Sequence, residues 1–327
     1  MRAALLWALA ALGGVGVLFA DDLQLIRRDV YLMGTRALLA TYAPDRTTGL
    51  AALEAALDVL EQTEAQLSTW RDESAISRLN RAPVGEPWQA DAEICALLGE
   101  LHAWQTDTGG AFDPAIGALA AAWGIHADGS VPDAGQLEEA QARSGLARFE
   151  LNRHTCRVVR RADATLDAGA FGKGEALDRV ARALTRAPWM IDLGGQVSVG
   201  GPPPPEGAWS IDVAHPHERA RAIMRVELQS GSLSTSGGSE RDRQAGAVRV
   251  GHILDPRSGR PASFTGSVVV WHERGLVADI LSTALYVMGP DEGLRWAESQ
   301  GVAAAYLIPG QGRMRTIATA AFSARFR

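Results

Sequence analysis

The chain has 327 residues, of which 46% are hydrophobic and 21% are charged, a composition typical of one large or two small folded domains and not of a disordered chain. The formal net charge of −6 argues against a surface that binds nucleic-acid phosphates, and the two cysteines exclude a disulfide scaffold and a cysteine-rich zinc module. Lysine occurs once, at Lys173, among 32 basic residues. In a chain that otherwise uses arginine, this favours a specific task for Lys173 over the chance survival of one surface lysine.

The N-terminus carries the pattern of a targeting segment. An uncharged apolar run over residues 3–20 follows Arg2 and precedes two aspartates. This order predicts a signal peptide or a membrane anchor over residues 1–20 and one domain over residues 21–327, and the length of the run leaves both interpretations open. Because Arg2 stays on the cytoplasmic side, we expect the domain on the other side of the membrane. No cysteine lies nearby, so the protein is not expected to be a lipoprotein.

Periodic apolar residues predict mostly helices in the first half of the chain. Residues 30–42 alternate as in a strand, whereas residues 47–70 place leucines at helical spacing. Residues 91–108 repeat such a stripe and end at two glycines, a common signal of a helix C-terminus. The predicted helices cover residues 47–70, 74–80, 91–108, 115–123 and 133–144.

Short β-like runs dominate the second half of the chain. The predicted strands cover residues 149–151, 157–160, 189–192, 209–213, 222–228, 248–250, 267–271 and 303–308. Two predicted helices interrupt them at residues 174–184 and 276–288, and a third follows at residues 292–299. This order of elements predicts an α+β fold in which a helical layer packs on a mostly antiparallel sheet.

The segment 166–178 is a glycine-rich turn that opens a helix. Backbone N–H groups at a helix N-terminus bind anions, and Lys173 stands where its ammonium group can reach a phosphate. The segment is not a Walker A loop, because Asp167 occupies the position of the first glycine and Gly174 that of the final serine or threonine. For Asp167, an ordinary role as the N-cap of the following helix stays open.

Residues 277–288 form a largely apolar predicted helix that carries Asp279 and Thr283. Since these two residues are four apart, their oxygens project from one helix face, and such oxygens suit Mg²⁺ better than zinc. A carboxylate among buried apolar residues needs a partner, and a cation supplies one. The alternative is that Asp279 interacts with the helix dipole and that Thr283 bonds back to the helix backbone.

Other candidate groups give weaker signals. His252 lies at the end of a strand, where an imidazole acts as a general base or a phosphate contact but is often structural. His215 and His217 lack a third metal ligand nearby, which favours a solvated loop. The chain has no Gly-x-Ser-x-Gly elbow and no complete Gly-x-Gly-x-x-Gly after a strand, so neither a serine hydrolase nor a doubly wound dinucleotide-binding fold is expected.

Eight short motifs of the chain follow one another in a single order. They are Met33-Gly34-Thr35, residues 68–80 (STWRDESAISRLN), residues 110–114 (GAFDP), residues 167–174 (D-x-G-x-x-x-K-G), residues 192–195 (DLGG), Thr235-Ser236-Gly237 with Glu240-Arg241, residues 252–256 (HILDP) and residues 278–284 (ADILSTA). Together they resemble the FAD:protein FMN transferase (ApbE) family, and the likeness extends from Met33 to the C-terminus. No single motif is decisive, whereas eight of them in this order are specific.

The resemblance implies an Mg²⁺-dependent periplasmic enzyme that cleaves FAD, joins FMN to a threonine hydroxyl of a target protein through a phosphoester and releases AMP. The targets resemble flavin-carrying subunits of membrane redox complexes, and any association with the inner membrane would rest on an uncleaved leader. By the same likeness, the metal ligands are Asp279, Thr283 and the backbone carbonyl of Ala170, and His252 activates the acceptor hydroxyl. The residues that resemble flavin-nucleotide contacts are Met33, Trp70, Ala111, Phe112, Asp113, Asp167, Lys173 and Ile253.

The chemistry of this reaction agrees with the residues. Cleavage of a pyrophosphate needs positioning and charge neutralisation, which Mg²⁺ beside Asp279 and Thr283 and the ammonium group of Lys173 would supply. His252 is the nearest base by type, and Asp279 competes for that role when no metal occupies it. Two alternatives stay open: an FAD pyrophosphatase that passes the same phosphoryl group to water, and a flavin-binding carrier without catalysis.

Overall fold

The computed structural model describes residues 23–184, 188–238, 242–245, 248–310 and 313–326. The leader predicted over residues 1–20 and the motif residues Glu240 and Arg241 lie outside these ranges. Within the described ranges, none of the helices combines the length and the apolar character needed to cross a membrane.

Most helices lie in the first half of the described chain and most strands in the second half. The helices are α1 (Arg46–Leu67), α2 (Ala75–Arg81), α3 (Ala92–Asp107), α4 (Gly117–Ala122), α5 (Ala134–Ala142), α6 (Gly172–Ala183), α7 (Gly275–Ser299) and α8 (Ala320–Arg325). The strands are β1 (Gln24–Leu32), β2 (Thr35–Ala43), β3 (Pro87–Gln89), β4 (Phe149–Asn152), β5 (Arg157–Arg160), β6 (Trp189–Leu193), β7 (Gln196–Gly200), β8 (Trp209–Ala214), β9 (Ala222–Leu228), β10 (Ser230–Gly237), β11 (Arg243–Ala245), β12 (Val248–Val250), β13 (Leu254–Asp255), β14 (Arg260–Pro261), β15 (Ser267–His272), β16 (Ala303–Pro309) and β17 (Met314–Ala318). Helices α1, α3 and α5 begin after aspartates whose side chains accept a backbone N–H bond, as N-cap residues do: Asp45, Asp91 and Asp133.

An eight-stranded sheet forms the centre of the described structure, in the order β1-β2-β6-β7-β10-β15-β16-β17. Every neighbouring pair is antiparallel, as in the pairing of Leu193 with Gln196 across the β6–β7 turn and of Ser234 with Val270 between β10 and β15. Consecutive strands of a hairpin need only a short turn, and this explains why Gly194 and Gly195 stand between β6 and β7.

The first hairpin differs from the prediction. We predicted one continuous strand over residues 30–42, whereas the structure has two strands, β1 and β2, that meet at Met33 and Gly34. Both residues have positive φ angles, 51° and 69°, which is the conformation of a two-residue turn that matches the twist of a hairpin. The prediction was wrong because the apolar alternation continues through the turn and conceals it.

The two faces of the sheet are covered differently. On one face α1, α6 and α7 pack against the strands and bury Leu60, Leu177 and Leu285. On the other face the β8–β9 hairpin and α8 cover the sheet with Trp209 and Phe322. The predicted helical layer on an antiparallel sheet is confirmed, and a second, mostly β layer lies on the opposite face.

A disulfide bond ties together the smaller helical part of the molecule. Cys95 in α3 and Cys156 in the β4–β5 turn are bonded, with their Cα atoms 5.3 Å apart. The sequence excluded a scaffold of several disulfides, and this single pair, 61 residues apart, was not predicted. It fixes α3 to the three-stranded sheet of β3, β5 and β4.

Candidate active site

One cleft of about 1490 Å³ lies where the N-terminus of α6, the start of α7 and the β1–β2 and β6–β7 turns meet. The site residues predicted from the sequence all border it: Met33, Trp70, Ala111, Phe112, Asp113, Asp167, Ala170, Lys173, His252, Ile253, Asp279 and Thr283. These residues come from segments spread over most of the chain. The fold therefore brings the predicted set into one place, and the role of each residue stays a prediction.

Helices α6 and α7 approach each other closely at Gly174. A Cβ atom at this position would lie 2.4 Å from the carbonyl oxygen of Gly275 and 2.8 Å from Cβ of Asp279, so only glycine fits without a shift of the backbone. The Gly174 N–H donates to Asp279 Oδ2 at 3.0 Å. The carboxylate on α7 thus satisfies one of the N–H groups that the first turn of α6 leaves unpaired.

Lys173 pairs with the same carboxylate. Its Nζ lies 3.2 Å from Asp279 Oδ1 and 3.3 Å from Oδ2, and it also donates to the carbonyl oxygen of Gly169 at 3.4 Å. The two side chains are only 17% and 4% exposed. Lys173 is therefore not an ordinary surface lysine, and Asp279 interacts with the turn before α6 and not only with the dipole of its own helix.

Thr283 lies one turn beyond Asp279, and its Oγ1 is 3.5 Å from Ser236 Oγ on β10. The bond back to the helix is made by Ser282, whose Oγ donates to the Asp279 carbonyl oxygen at 3.0 Å. Ser282 Oγ also lies 3.0 Å from Ser234 Oγ and 2.8 Å from Ser236 Oγ. These contacts form a row of hydroxyl groups from Ser282 through Ser236 to Thr283, and Thr283 also borders the cleft.

The oxygen atoms of this corner fit a hard divalent cation. Asp279, Thr283 and Ala170 all border the cleft, and the Asp279 carboxylate keeps acceptor capacity beside its bonds from Lys173 and Gly174. Carboxylate, hydroxyl and carbonyl oxygens are ligands that Mg²⁺ prefers. No group of three or more His, Cys, Asp and Glu side chains suited to a metal occurs in the described part of the chain. A cation here would therefore complete its coordination with ligands other than clustered carboxylates.

His252 is oriented by a carboxylate that sequence reasoning missed. Its Nδ1 lies 2.9 Å from Asp242 Oδ1, and its backbone N–H donates to the same oxygen at 3.1 Å. Burial alone would raise the pKa of Asp242, but the hydrogen bonds from His252 outweigh it, so the pKa lies below the usual value. Arg249 Nε donates to the other oxygen at 3.0 Å. The ionised carboxylate holds the proton on Nδ1, so Nε2 is the nitrogen that can accept one.

The turn after α3 forms another wall of the cleft, with Ala111 and Phe112 each 1% exposed. Its Asp113 carboxylate accepts backbone N–H bonds from Ala115 at 2.8 Å and from Leu146 at 2.9 Å. Burial raises the pKa of Asp113, and these two N–H bonds oppose the shift. The side chain therefore holds the turn in place, and any flavin contact would use what remains accessible of the residue.

Asp167 and Trp70 lie on a further wall. Asp167 Oδ1 accepts the Gly169 N–H at 2.7 Å and so caps the short 3-10 turn before α6, whereas α6 itself begins after Phe171, which makes no side-chain cap bond. Trp70 is 74% exposed and its ring meets His126 edge to face. His126 also contacts Asp167, and no sequence motif pointed to it.

His215 also borders the cleft, in the loop between β8 and β9. Its Nδ1 accepts backbone N–H bonds from His217 and Glu218, both at 3.1 Å. These bonds close the loop between the two strands, in agreement with the predicted loop.

Comparisons with known proteins agree with the motifs. Residues 33–307 match the family described as the ApbE family. The FAD:protein FMN transferase of Treponema pallidum (strain Nichols) is 32% identical over 281 residues, which are 79% of this chain and 77% of that protein. The ApbE protein of Thermotoga maritima superposes with a TM-score of 0.85 at 28% identity, covering 93% of this chain and all of that one. The apo flavinyl transferase ApbE of Pseudomonas stutzeri superposes with a TM-score of 0.82 at 27% identity, covering 93% and 97%.

The structures that superpose on this fold include flavinyl transferases, and that is the class which the fold and the cleft resemble. The family match covers most of the chain, and a relative exceeds 30% identity over three quarters of its length. The chain therefore belongs to the ApbE family, as its motifs predicted.

Proposed function

We propose that the chain is an Mg²⁺-dependent FAD:protein FMN transferase, which joins FMN to a threonine of a target protein and releases AMP. The observation that carries the proposal is the partly buried Lys173–Asp279 pair, with Nζ 3.2 Å from Oδ1, in the same cleft as all the predicted flavin contacts. The Treponema pallidum relative bears the name of this activity, which supports the proposal.

One P–O bond forms in the reaction and one breaks. The threonine oxygen attacks the phosphorus of the FMN half, and the bond from that phosphorus to the bridging oxygen breaks, so that AMP leaves with the bridging oxygen. The threonine proton passes to His252 Nε2, since Asp242 holds the proton on Nδ1. The Asp242 carboxylate then stabilises the imidazolium that forms.

The phosphates are expected to lie at the corner where α6 meets α7. Asp279, Thr283 and the Ala170 carbonyl would hold Mg²⁺ there, and the bound ion neutralises charge on phosphate oxygens as a Lewis acid. Lys173 adds a compact positive charge whose position is fixed by its bonds to Asp279 and to the Gly169 carbonyl. Both charges stabilise the negative charge that spreads over the transferred group.

The flavin is expected to lie against the walls of the cleft. Trp70 offers an exposed aromatic face, which suits stacking with a flat isoalloxazine ring. Ala111 and Phe112 border the same cleft, and a flavin contact there would use the small part of their turn that is accessible. The proposed flavin-nucleotide contacts are those predicted from the motifs: Met33, Trp70, Ala111, Phe112, Asp113, Asp167, Lys173 and Ile253.

We further propose that the protein acts in the periplasm, exported or anchored through residues 1–20. The Cys95–Cys156 disulfide supports this location, because disulfides persist in oxidising compartments and are rare in the cytosol. The proposed acceptor is a threonine-bearing flavin subunit of a membrane redox complex, with no role for nucleic acid in view of the net charge of −6.

An FAD pyrophosphatase is the second candidate. It would use the same residues and replace the acceptor threonine by water, giving free FMN and AMP. A carrier that only binds flavin has less support, because it would not need a partly buried Lys173–Asp279 pair or an imidazole held by a carboxylate.

The test of the proposed function combines purified chain, FAD, Mg²⁺ and a flavin-subunit domain that carries an acceptor threonine. We expect AMP to be released and yellow fluorescence to stay with the acceptor through denaturing electrophoresis. An acceptor with valine in place of that threonine is the matched control and should stay unlabelled. Free FMN without labelled acceptor would favour the pyrophosphatase, and intact FAD would favour the carrier.

Lys173→Arg tests whether a compact charge is required at this position. We expect FAD cleavage to fall by about tenfold or more, because a planar guanidinium cannot occupy the place of the ammonium between Gly169 and Asp279. Arg179→Lys in the same helix is the control, since Arg179 pairs with Glu175 away from the cleft. Unchanged turnover of Lys173→Arg would contradict the argument drawn from the single lysine.

A further inference from the structure

His126 connects two walls of the cleft. It lies in the turn after α4, outside every motif of the sequence. Its Nε2 lies 2.7 Å from Asp167 Oδ2, and its ring meets the Trp70 ring with centroids 5.1 Å apart and planes at 85°. One imidazole thus contacts two proposed flavin contacts that belong to separate segments.

The turn that carries His126 is itself anchored. Ile125 is buried, and its carbonyl oxygen accepts a bond from Arg243 Nε on β11 at 3.0 Å. Trp123 is buried as well, and its indole N–H donates to the carbonyl oxygen of Gly259 at 2.8 Å. His126 therefore projects from a fixed backbone while its side chain stays 45% exposed.

Of the two contacted side chains, Trp70 is the one that burial does not fix. Trp70 is 74% exposed, so its indole would reorient freely in solvent without a neighbour. Asp167 Oδ1 bonds to the Gly169 N–H, and Oδ2 faces His126. Binding a ligand to mobile side chains costs conformational entropy, and a residue that orders them beforehand lowers that cost.

We propose that His126 is a positioning residue for FAD, which holds the Trp70 ring and the Asp167 carboxylate in the orientation that binds the dinucleotide. The inference rests on the proposed function, because it takes FAD as the ligand. Since the contacts of His126 are with flavin-binding side chains, we expect it to affect the affinity for FAD and hardly the chemical step.

The charge of His126 adds a pH dependence to this role. The hydrogen bond that His126 donates to the Asp167 carboxylate raises the pKa of His126, whereas burial and the nearby Arg243 lower it by less. Because the pKa is raised, the imidazolium and its charge-assisted bond to Asp167 persist above the usual range and are lost as the pH rises through that pKa. The charged groups that face His126 are Asp167 and Arg243, and Trp70 does not titrate. FAD binding is therefore expected to weaken as the pH rises above the pKa of His126.

The experiment measures FAD binding to the full chain in EDTA, by quenching of flavin fluorescence, between about pH 6 and about pH 9. His126→Ala should weaken binding about tenfold at the acidic end, the loss expected for one charge-assisted hydrogen bond. His126→Gln keeps a neutral donor for Asp167, so it should recover part of the affinity and bind equally at every pH. His154→Gln, at an exposed position in the β4–β5 turn, is the matched control.

Steady-state cleavage with Mg²⁺ provides the second readout. The KM for FAD should rise in His126→Ala, and kcat should stay within about twofold of the wild type. Equal or tighter FAD binding by His126→Ala overturns the inference and leaves the proposed function intact, whereas a wild type that binds no FAD overturns both. If His126→Ala fails to fold, the pH profile of His126→Gln decides alone, and a profile equal to that of the wild type overturns the inference.

Discussion

Asp279→Asn is expected to lower the rate of FAD cleavage by about a thousandfold, because it removes the charge that pairs with Lys173 and that would hold the proposed cation. Asparagine has the size of aspartate and keeps an oxygen that accepts the Gly174 N–H, so the contact between α6 and α7 should persist. FAD should still bind measurably, since the flavin walls of the cleft are unchanged. The measurement is AMP release at saturating FAD and Mg²⁺, together with FAD affinity in EDTA.

Asp178→Asn is the matched control for this substitution. Asp178 belongs to the same pair of helices and bonds to the Gly275 N–H and to Arg274, but it does not border the cleft. We expect this variant to cleave FAD at close to the wild-type rate. Full activity of Asp279→Asn, or full cleavage by the wild type in EDTA, would contradict the proposed metal site.

His252→Ala is expected to lower FMN transfer by about a hundredfold to ten-thousandfold, the range for loss of a general base. The imidazole is held by Asp242 and borders the cleft, whereas alanine has no group that takes the acceptor proton. Added imidazole should restore part of the rate, because the cavity left by the side chain opens to the cleft. The measurement is the rate of acceptor labelling with and without imidazole.

Two further variants make this test specific to the base. His217→Ala removes an exposed histidine of the β8–β9 loop and should label the acceptor at the wild-type rate. Asp242→Asn removes the charge that stabilises the imidazolium but keeps the shape of the side chain. Its rate of acceptor labelling should therefore lie between those of His252→Ala and the wild type. Labelling by His252→Ala at the wild-type rate would assign the proton to another base, with Asp279 as the first candidate.

Local patterns predicted those parts of the site that lie on one element. Asp279 and Thr283 border the same cleft because their spacing of four is a property of any helix. The predicted strands at residues 157–160, 222–228 and 248–250 coincide with β5, β9 and β12, each of which contains two β-branched residues.

Two central strands of the sheet, β7 and β10, were not predicted. Ser230–Gly237 consists largely of serine and glycine, residues that do not favour strands in isolation. Its Ser234 and Ser236 bond instead to Ser282 of α7, and these bonds stabilise a polar strand in the middle of the sheet. Such stabilisation comes from a helix far along the chain, so no local pattern reveals it.

Contacts between distant segments were missed for the same reason. Nothing in the sequence around His126 indicates that it meets Asp167, which lies in a different segment of the chain. Asp242 is close to His252 in sequence, but its role depends on the pairing of β11 with β12, which brings it back to the imidazole. The eight motifs predicted which residues gather in the cleft, whereas the side chains that orient them became visible only in the fold.

The Cys95–Cys156 bond turns the intervening polypeptide into a covalent ring, and this ring contains the turn at Phe112 and the imidazole of His126. A closed loop of 61 residues removes configurational freedom from the denatured chain worth about 4 kcal/mol. The segment that contains Phe112 and His126 is thereby held to α3 even when the fold opens locally. Oxidation of these two thiols therefore limits how far the segment around Phe112 and His126 can move away from the rest of the cleft.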